Sequence, residues 1–341
     1  MSTISTSTLP ASWYHEPGVF QRERHGIFAR EWLYVGRSTQ LGRRGDYLAA
    51  AVCGWPVVVV ATDDAGSLAA FHNVCRHRAG PLVWDGEGNC GSSLVCRYHG
   101  WAYDLDGRLR SARDFGADVD CSTSQLPAIR VETWRGLVFV NLDADAGPLL
   151  ADLGRFAELC EPFPMESFTI CRNVSETMAA NWKTYADNYL EGYHLPLVHP
   201  GLLRQVDAKR YRVEVGDRFC LHTAPARDGA ATTGRWLWRF PNLALNVYPD
   251  GMNVERFWPL GPSRTEVAYT YLFADGADAA HQEASIKLSL ELLDEDRRIC
   301  EAVQRNLESG VYDSGTLSPR HEDGVGYFQS LVRAAVLGAH S

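Results

Sequence analysis

The sequence lacks the features that bring a protein to nucleic acid or into a membrane. Its net charge is −9 and it contains no run of Lys or Arg, so a nucleic-acid surface is not expected. The most apolar stretch, residues 47–61, is interrupted by Gly54 and Pro56 and is shorter than the roughly 20 residues of a membrane span. The N-terminus, MSTISTSTLPASW, lacks the layout of a signal peptide. We therefore expect a cytoplasmic protein without a membrane partner.

Two other familiar patterns are missing. The nine cysteines are odd in number and scattered, which argues against the disulfide framework of a secreted protein. The chain has no P-loop and no Gly-x-Gly-x-x-Gly, so it carries no motif for binding NADH itself.

At 341 residues the chain is long enough for two domains. Residues 1–39 are predicted to be an N-terminal helical segment of the catalytic domain, with a helix over 12–34. Residues 40–147 alternate short apolar runs with turn signals, which predicts a small all-β domain. Residues 148–341 are predicted to form the second, catalytic domain. The predicted fold class is therefore α+β.

The catalytic domain is predicted to be an antiparallel sheet with helices packed on it. A short helix is expected over 149–159 and another over 179–194, which Pro196 would end. Strands follow between 211 and 273. The last of them alternates apolar and polar residues over 266–273, as a strand with one dry face requires. A long helix is expected over 281–308.

The β domain carries four metal-ligating side chains in two pairs. Cys75 and His77 form the first pair, and Cys96 and His99 form the second. Two Cys and two His suit a structural zinc site, and they also suit a [2Fe–2S] cluster in which two Cys hold one iron and two His the other. Nearby glycines and aromatic residues favour the cluster, because they allow tight loops and a dry shell.

A second concentration of ligand types lies in the stretch from Asp187 to His199. On a helix over 179–194, the polar residues Asn188, Glu191 and His194 share one stripe. Because Pro196 would end this helix, His199 could turn back towards His194. Two neutral His and one carboxylate form the facial triad of non-haem Fe(II).

The third ligand of this triad must come from elsewhere, because Glu191 is only three residues from His194. The last predicted helix offers Asp294, Glu295, Asp296 and Glu301. Asp296 shares its stripe with apolar residues that include Ile299, Cys300 and Val303, whereas Asp294 and Glu301 share theirs with arginines. A carboxylate on an apolar stripe must be paired or bound to metal. Asp296 is the predicted metal ligand, and a capping or salt-bridged Asp is the alternative.

These motifs resemble the Rieske non-haem iron oxygenases, the α-subunits of ring-hydroxylating dioxygenases and their choline-monooxygenase-like relatives. The resemblance rests on Cys-x-His and Cys-x-x-His with their flanks, residues 73–78 and 98–101, and on shorter matches such as residues 181–183, 236–238 and 301–304. It implies a Rieske [2Fe–2S] domain and a catalytic domain with a curved antiparallel sheet. Arg97 stands where the family usually has Pro, and the gap of eighteen residues between His77 and Cys96 is slightly long.

The resemblance also implies roles and partners. His194, His199 and Asp296 would bind iron, and Glu191 would bridge to a cluster-ligating His. This leaves Asn188 as a polar group near the iron and Asp187 as a structural carboxylate. NAD(P)H electrons would arrive through a flavin reductase, a ferredoxin or both, and cross between subunits of a homotrimer or larger assembly. O2 and a small organic substrate would react as in a monooxygenase or dioxygenase.

Several alternatives remain open on sequence alone. The protein could be a Rieske electron-transfer protein without oxygenase chemistry, or a zinc-ribbon module. The substrate could be a quaternary ammonium or other amine, hydroxylated or demethylated, or an aromatic acid. Glu at position 191 is modest support for an amine. The candidate pocket residues are Trp236, Trp238, Phe240, Asn246, Tyr248 and Trp258, and ordinary sheet core is the alternative for each. Arg239 or Arg256 could instead pair with a substrate carboxylate, and a solvated strand residue is the alternative for each.

Overall fold

The computed structural model describes residues 7–116, 124–204, 206–226 and 234–338. Of the nine cysteines, Cys121 lies outside these ranges. The chain divides into two compact units, which we call the β unit, Phe28–Asp152, and the α+β unit, Met1–Ile27 with Leu153–Ser341. The sequence placed the domain bounds at 39/40 and 147/148, and these bounds stay a prediction.

The β unit is a small antiparallel structure with two sheets. One has seven strands in the order β1-β10-β9-β4-β3-β2-β5, and the other has the order β6-β7-β8. The strands are β1 Leu33–Arg37, β2 Asp46–Val52, β3 Trp55–Ala61, β4 Leu68–His72, β5 Gly86–Asn89, β6 Ser93–Val95, β7 Ala102–Asp104, β8 Leu109–Ser111, β9 Ala128–Trp134 and β10 Leu137–Asn141.

Two turns fold this unit through local chemistry. Between β3 and β4, Asp63 Oδ1 accepts hydrogen bonds from the backbone N–H groups of Ala65 at 2.8 Å and Ser67 at 3.1 Å. Between β9 and β10, Arg135 and Gly136 both have positive φ, +49° and +77°, as a tight hairpin turn requires. Each turn joins two antiparallel neighbours, β3 with β4 and β9 with β10.

The predicted helix over 12–34 is interrupted, and it is wrong after Phe28. The segment forms a 3-10 turn at Ala11–Tyr14, helix α1 at Pro17–Glu23 and a π-helical turn at Arg24–Phe28, and then it becomes strand β1. The reason is tertiary, because residues 33–37 pair antiparallel with β10 and complete the edge of the seven-stranded sheet. Pairing partners more than a hundred residues away override the local helical pattern.

The α+β unit contains the second seven-stranded sheet, which is antiparallel in the order β11-β17-β16-β15-β14-β13-β12. Its strands are β11 Thr169–Met178, β12 Arg212–Val215, β13 Phe219–Thr223, β14 Arg235–Arg239, β15 Leu243–Tyr248, β16 Gly251–Gly261 and β17 Arg264–Phe273. In β17, Val267, Tyr269, Tyr271 and Phe273 are buried while Glu266, Ala268 and Thr270 are partly exposed, which confirms the predicted alternation.

The helices after α1 are α2 Leu149–Leu153, α3 Arg155–Cys160, α4 Trp182–Tyr189, α5 Leu195–Val198, α6 Ala279–Glu308 and α7 Asp323–Gly338. The single predicted helix over 149–159 is broken at Gly154, whose φ is +47°. Helix α7 was not predicted, and its Phe328 is fully buried. None of the helices in the described ranges is long and apolar enough to cross a membrane.

Helix α4 is held by a polar network that includes Asp187. Tyr14 donates a hydrogen bond to Asp187 Oδ2 at 2.6 Å, and Gln329 Nε2 donates to Asp187 Oδ1 at 3.0 Å. One turn earlier, the fully buried Lys183 and Glu23 form an ion pair at 2.5 Å. Asp187 thus ties α4 to the N-terminal segment and to α7, which suits the structural role predicted for it.

This network makes stability depend on pH. Burial raises the pKa of the Asp187 carboxyl from 3.8 to about 7, although hydrogen bonds from Tyr14 and Gln329 lower it. The folded state therefore holds a proton that the unfolded chain has already released between about pH 4 and pH 7, and stability falls as pH rises through that window. We expect the midpoint of thermal unfolding to fall less between pH 5 and pH 8 in Asp187→Asn than in the wild type. Asp294→Asn, at an exposed carboxyl whose pKa Arg297 lowers, is the control that should follow the wild type. An equally steep fall in Asp187→Asn would contradict this role.

Candidate metal centres and substrate cavity

The two Cys/His pairs of the β unit lie on two similar loops. In the first, Cys75 C=O accepts a hydrogen bond from Ala79 N–H at 3.0 Å, and in the second, Cys96 C=O accepts one from Gly100 N–H at 3.0 Å. The four side chains come together, with the His77 and His99 rings 4.7 Å apart between centroids. Both cysteines are buried and both histidines are partly exposed.

The packing around the sulfur atoms fits a Rieske cluster. A Cβ on Gly80 would lie 2.9 Å from Cys96 Sγ, so only glycine leaves room there. The Tyr103 hydroxyl lies 3.2 Å from Cys75 Sγ, within hydrogen-bond distance of a sulfur. The His77 ring stacks on Trp101 at 4.9 Å. Two inner thiols, two outer imidazoles and an aromatic shell form the donor arrangement that a [2Fe–2S] cluster with Cys2His2 ligation needs.

In the α+β unit, His194, His199 and Asp296 come together as a possible metal site. One ligand atom from each lies within 4.8 Å of the other two. Asp296 Oδ1 is 3.0 Å from His199 Nε2 and 3.9 Å from His194 Nε2, so both rings present Nε2 to the same carboxylate. Two imidazoles and one carboxylate facing one point are the donor set of a non-haem Fe(II) centre. Their role as iron ligands stays a prediction.

His194 reaches this position from a turn and not from a helix. The predicted helix over 179–194 is wrong in its last part, since α4 ends at Tyr189. The Glu191 carboxylate accepts hydrogen bonds from the backbone N–H groups of Tyr193 and His194, which builds the turn. Pro196 lies in the first turn of α5 and so begins a short helix instead of ending one.

Glu191 also fixes the orientation of the His194 ring. Its Oε1 lies 2.5 Å from His194 Nδ1 and leaves Nε2 directed at Asp296. Gly192 makes the turn compact, because a Cβ there would lie 2.3 Å from the Tyr211 ring. Glu191 is buried, with 9% of its surface exposed. The structure therefore places the predicted bridging carboxylate directly behind a candidate iron ligand.

Asp296 lies at the edge of the buried face of α6. Leu293, Cys300 and Leu307 are buried, but Ile299 and Val303 are 39% and 38% exposed, so part of the predicted apolar stripe is wrong. The Asp296 carboxylate is held from across the site, where Asn188 Nδ2 donates to its Oδ1 at 2.7 Å. Asn188 was predicted to lie near the iron, and it contacts the candidate ligand Asp296.

The sequence did not assign a role to Glu295, which the structure places beside the triad. Its Oε2 lies 2.7 Å from His199 Nδ1. Metal-ligating histidines usually donate their second N–H to such a carboxylate, which fixes the tautomer. Burial lowers the pKa of His199, but hydrogen bonds to Asp296 and Glu295 raise it above its ordinary value. In the sequence, only the neighbouring Asp296 pointed to Glu295. Its contact with His199, 96 residues away, depends on the tertiary structure.

We expect Glu295→Gln to weaken iron retention about tenfold, because a neutral amide polarises the His199 ring less than a carboxylate does. The loss of mononuclear iron to a chelator over time measures this, while the visible spectrum of the cluster should not change. Glu291→Gln, one turn earlier on α6 beside Lys287, is the matched control. Equal iron loss in the wild type and Glu295→Gln would rule out this function of Glu295.

The triad opens onto a cavity of about 580 Å³. Its walls come from the sheet, from α4 and from α6, and they are rich in aromatic side chains. The aromatic lining residues are Tyr189, Tyr211, Trp236, Tyr248, Tyr271 and Phe273. Trp236 Nε1 donates to the Tyr248 hydroxyl at 2.6 Å, which fixes these two rings relative to each other. Burial lowers the pKa of the lining His222 to about 3, so this imidazole is neutral.

Three of the predicted pocket residues line the cavity, namely Trp236, Asn246 and Tyr248. Trp238, Phe240 and Trp258 are instead buried core residues. Trp238 and Phe240 pack against Phe328 of α7, at ring distances of 5.6 and 6.4 Å, so the unpredicted helix covers them. Arg239 and Arg256 do not line the cavity. Arg239 donates to backbone carbonyls, and Arg256 lies over the Trp258 ring at 3.7 Å.

Comparison with known proteins agrees with this geometry. The chain matches the "Ring hydroxylating alpha subunit (catalytic domain)" family over residues 165–227 and 223–338, and the "Rieske [2Fe-2S] domain" family over residues 31–128. It is 32% identical to a carnitine monooxygenase oxygenase subunit of Escherichia coli (strain K12), over 95% of this chain and 92% of that protein. It is 33% identical to the chloroplastic choline monooxygenase of Arabidopsis thaliana, over 91% and 78% respectively.

A solved structure is also similar. It belongs to a quaternary ammonium Rieske monooxygenase described in terms of carnitine oxidation by gut microbiota and inter-subunit electron transfer. The two chains superpose with a TM-score of 0.87 and 29% identity, covering 96% of this chain and 95% of the other.

Proposed function

Since this chain belongs to the Rieske ring-hydroxylating oxygenase family, we propose that it is the oxygenase component of a quaternary ammonium monooxygenase. Family membership confirms the predicted resemblance, the α+β fold class, the terminal oxygenase function and both cofactors, the Rieske [2Fe–2S] cluster and the mononuclear iron. The substrate, the partners and the role of each residue are the proposal.

The proposed division of roles follows the donor sets. Cys75, His77, Cys96 and His99 would hold the cluster, and His194, His199 and Asp296 would hold the iron. The bound groups supply one-electron transfer and O2 activation. The chain itself supplies orientation, because Glu191 and Glu295 each fix one imidazole and Asn188 fixes the carboxylate.

The aromatic cavity beside the triad carries the substrate proposal. A quaternary ammonium offers no hydrogen-bond donor, so a protein recognises it with the faces of aromatic rings. Trp236 and Tyr248 provide two such rings in fixed relation, and Tyr189 and Tyr211 provide others nearer α4. Asp250 adds a negative charge to the lining. The names of the similar proteins, which refer to carnitine and choline, support the same substrate class.

The proposed electron path runs through Glu191. Its carboxylate contacts His194, and the proposal is that it also contacts a histidine ligand of a neighbouring subunit's cluster. The inter-subunit electron transfer described for the similar monooxygenase supports this assembly. We therefore propose a homotrimer or larger oligomer, with a flavin reductase, a ferredoxin or both as the source of NAD(P)H electrons.

Substrate-dependent O2 uptake with a surrogate reductase tests the function. Quaternary ammonium compounds should stimulate uptake, and aromatic acids should not. Trp236→Leu should raise KM for these compounds about tenfold through the lost cation–π contact. Trp134→Leu, at a buried tryptophan of the β unit, controls for loss of aromatic volume. Stimulation by aromatic acids alone, or an unchanged KM in Trp236→Leu, would contradict the proposal.

A further inference from the structure

Four neutral polar side chains form a hydrogen-bonded chain along the cavity wall. Asn246 Nδ2 donates to Asn253 Oδ1 at 3.2 Å, and Asn253 Nδ2 donates to Ser289 Oγ at 3.3 Å. Tyr271 donates its hydroxyl hydrogen to the same Ser289 Oγ at 2.9 Å. These four residues, which we call the polar strip, therefore connect strands β15, β16 and β17 with helix α6, and all four line the cavity.

Counting hydrogen-bond capacity shows what this strip offers to a ligand. Each asparagine amide has two N–H donors, and each uses one of them within the strip. Ser289 Oγ already accepts two hydrogen bonds, so its own hydrogen points elsewhere, and no described residue accepts it. The strip thus keeps spare donors, and a matching ligand must present an oxygen acceptor.

The charges around the strip select the kind of oxygen. No Lys or Arg belongs to the described part of the cavity lining, and the lining includes the carboxylate of Asp250. His281, which also lines the cavity, lies 3.7 Å from Asp250. A substrate carboxylate would therefore compete with Asp250 for His281. Burying a carboxylate without a cationic partner is costly, whereas a hydroxyl needs only the neutral donors that the strip provides.

We propose that Asn253 and Ser289 determine specificity by donating hydrogen bonds to a neutral oxygen of the substrate. The substrate class is a quaternary ammonium alcohol of net charge +1, with its cation on the aromatic rings and its hydroxyl oxygen on the strip. This inference rests on the proposed function and deepens it. It distinguishes an alcohol from the zwitterionic carboxylates that carry the same trimethylammonium group.

Anaerobic calorimetric titration of the holoenzyme with three probes tests the proposal. The probes are choline, glycine betaine and tetramethylammonium, which share the cation and differ in the oxygen function. Wild-type protein should bind choline about tenfold more tightly than either of the other two. Ser289→Ala should weaken choline about tenfold and leave tetramethylammonium unchanged. Ser330→Ala removes a hydroxyl of helix α7 that does not line the cavity, and this variant should bind all three as the wild type does.

A second variant distinguishes a lost hydrogen bond from a misfolded cavity. Asn253→Leu should lose choline affinity selectively, and its tetramethylammonium affinity reports that the cavity is intact. Equal weakening of choline and tetramethylammonium in both variants would overturn the proposal, and so would tighter binding of glycine betaine than of choline by the wild type. Failure of the function looks different, because then none of the three probes binds.

Discussion

Glu191→Gln should retain the cluster and the mononuclear iron while turnover falls about 100-fold or more. The carboxylate of Glu191 has two oxygens in use, one against His194 Nδ1 at 2.5 Å and one accepting two backbone N–H groups. Glutamine has nearly the same shape but only one acceptor oxygen and no charge. Glutamine at this position therefore could not accept the two backbone hydrogen bonds of this turn and also hydrogen bonds from His194 and from the proposed cluster histidine of a neighbouring subunit.

Three readouts separate electron transfer from iron binding in this variant. Metal analysis after reconstitution with excess Fe(II), which saturates a site weakened about tenfold, should give the wild-type iron content, and the visible spectrum should show an intact cluster. The reduced cluster should then reoxidise far more slowly with O2 and substrate. Glu214→Gln is a suitable control, because Glu214 is exposed and pairs with the exposed Arg155. Full turnover by metal-replete Glu191→Gln would refute the bridging role.

Asp296→Ala should remove the mononuclear iron and abolish substrate-dependent O2 uptake. Its Oδ1 lies 3.0 Å from His199 Nε2 and supplies the only anionic ligand of the predicted triad. Without Asp296 the site keeps two neutral imidazoles and no anionic ligand, so it should bind Fe(II) weakly. The cluster lies on separate loops of the β unit, so its spectrum should not change.

Asp294→Ala provides a closely matched control. Asp294 is two residues earlier on α6 and forms ion pairs with Arg297 and Arg298. Losing that surface pair should leave iron content and O2 uptake near wild-type values. Retention of the mononuclear iron by Asp296→Ala would show that another side chain is the third ligand.

The structure brings together the side chains that the sequence predicts as metal ligands, because most of them lie in short segments. Cys75 and His77, like Cys96 and His99, are separated by one or two residues, so a single loop positions each pair. His194 and His199 are equally close. Asp296 was chosen for its apolar neighbours, although two of those neighbours, Ile299 and Val303, are exposed. The choice therefore rested partly on a stripe that the structure does not contain.

The features that sequence patterns missed all depend on tertiary contacts. Helix α4 stops at Tyr189 because Glu191 hydrogen-bonds the following turn and the Tyr211 ring packs on Gly192. Periodicity alone cannot detect such capping. The same holds for Glu295, whose importance lies in a contact with His199, and for the Asn253–Ser289 contact across a sheet and a helix.

Iron content is the measurement that tests the central claim most directly. Protein purified without oxygen should contain three iron atoms per chain, two from the Rieske cluster and one from the site of His194, His199 and Asp296. It should be red-brown and contain no zinc. Two iron atoms per chain in correctly folded protein would indicate an electron carrier instead of an oxygenase. A colourless zinc protein would contradict the account altogether.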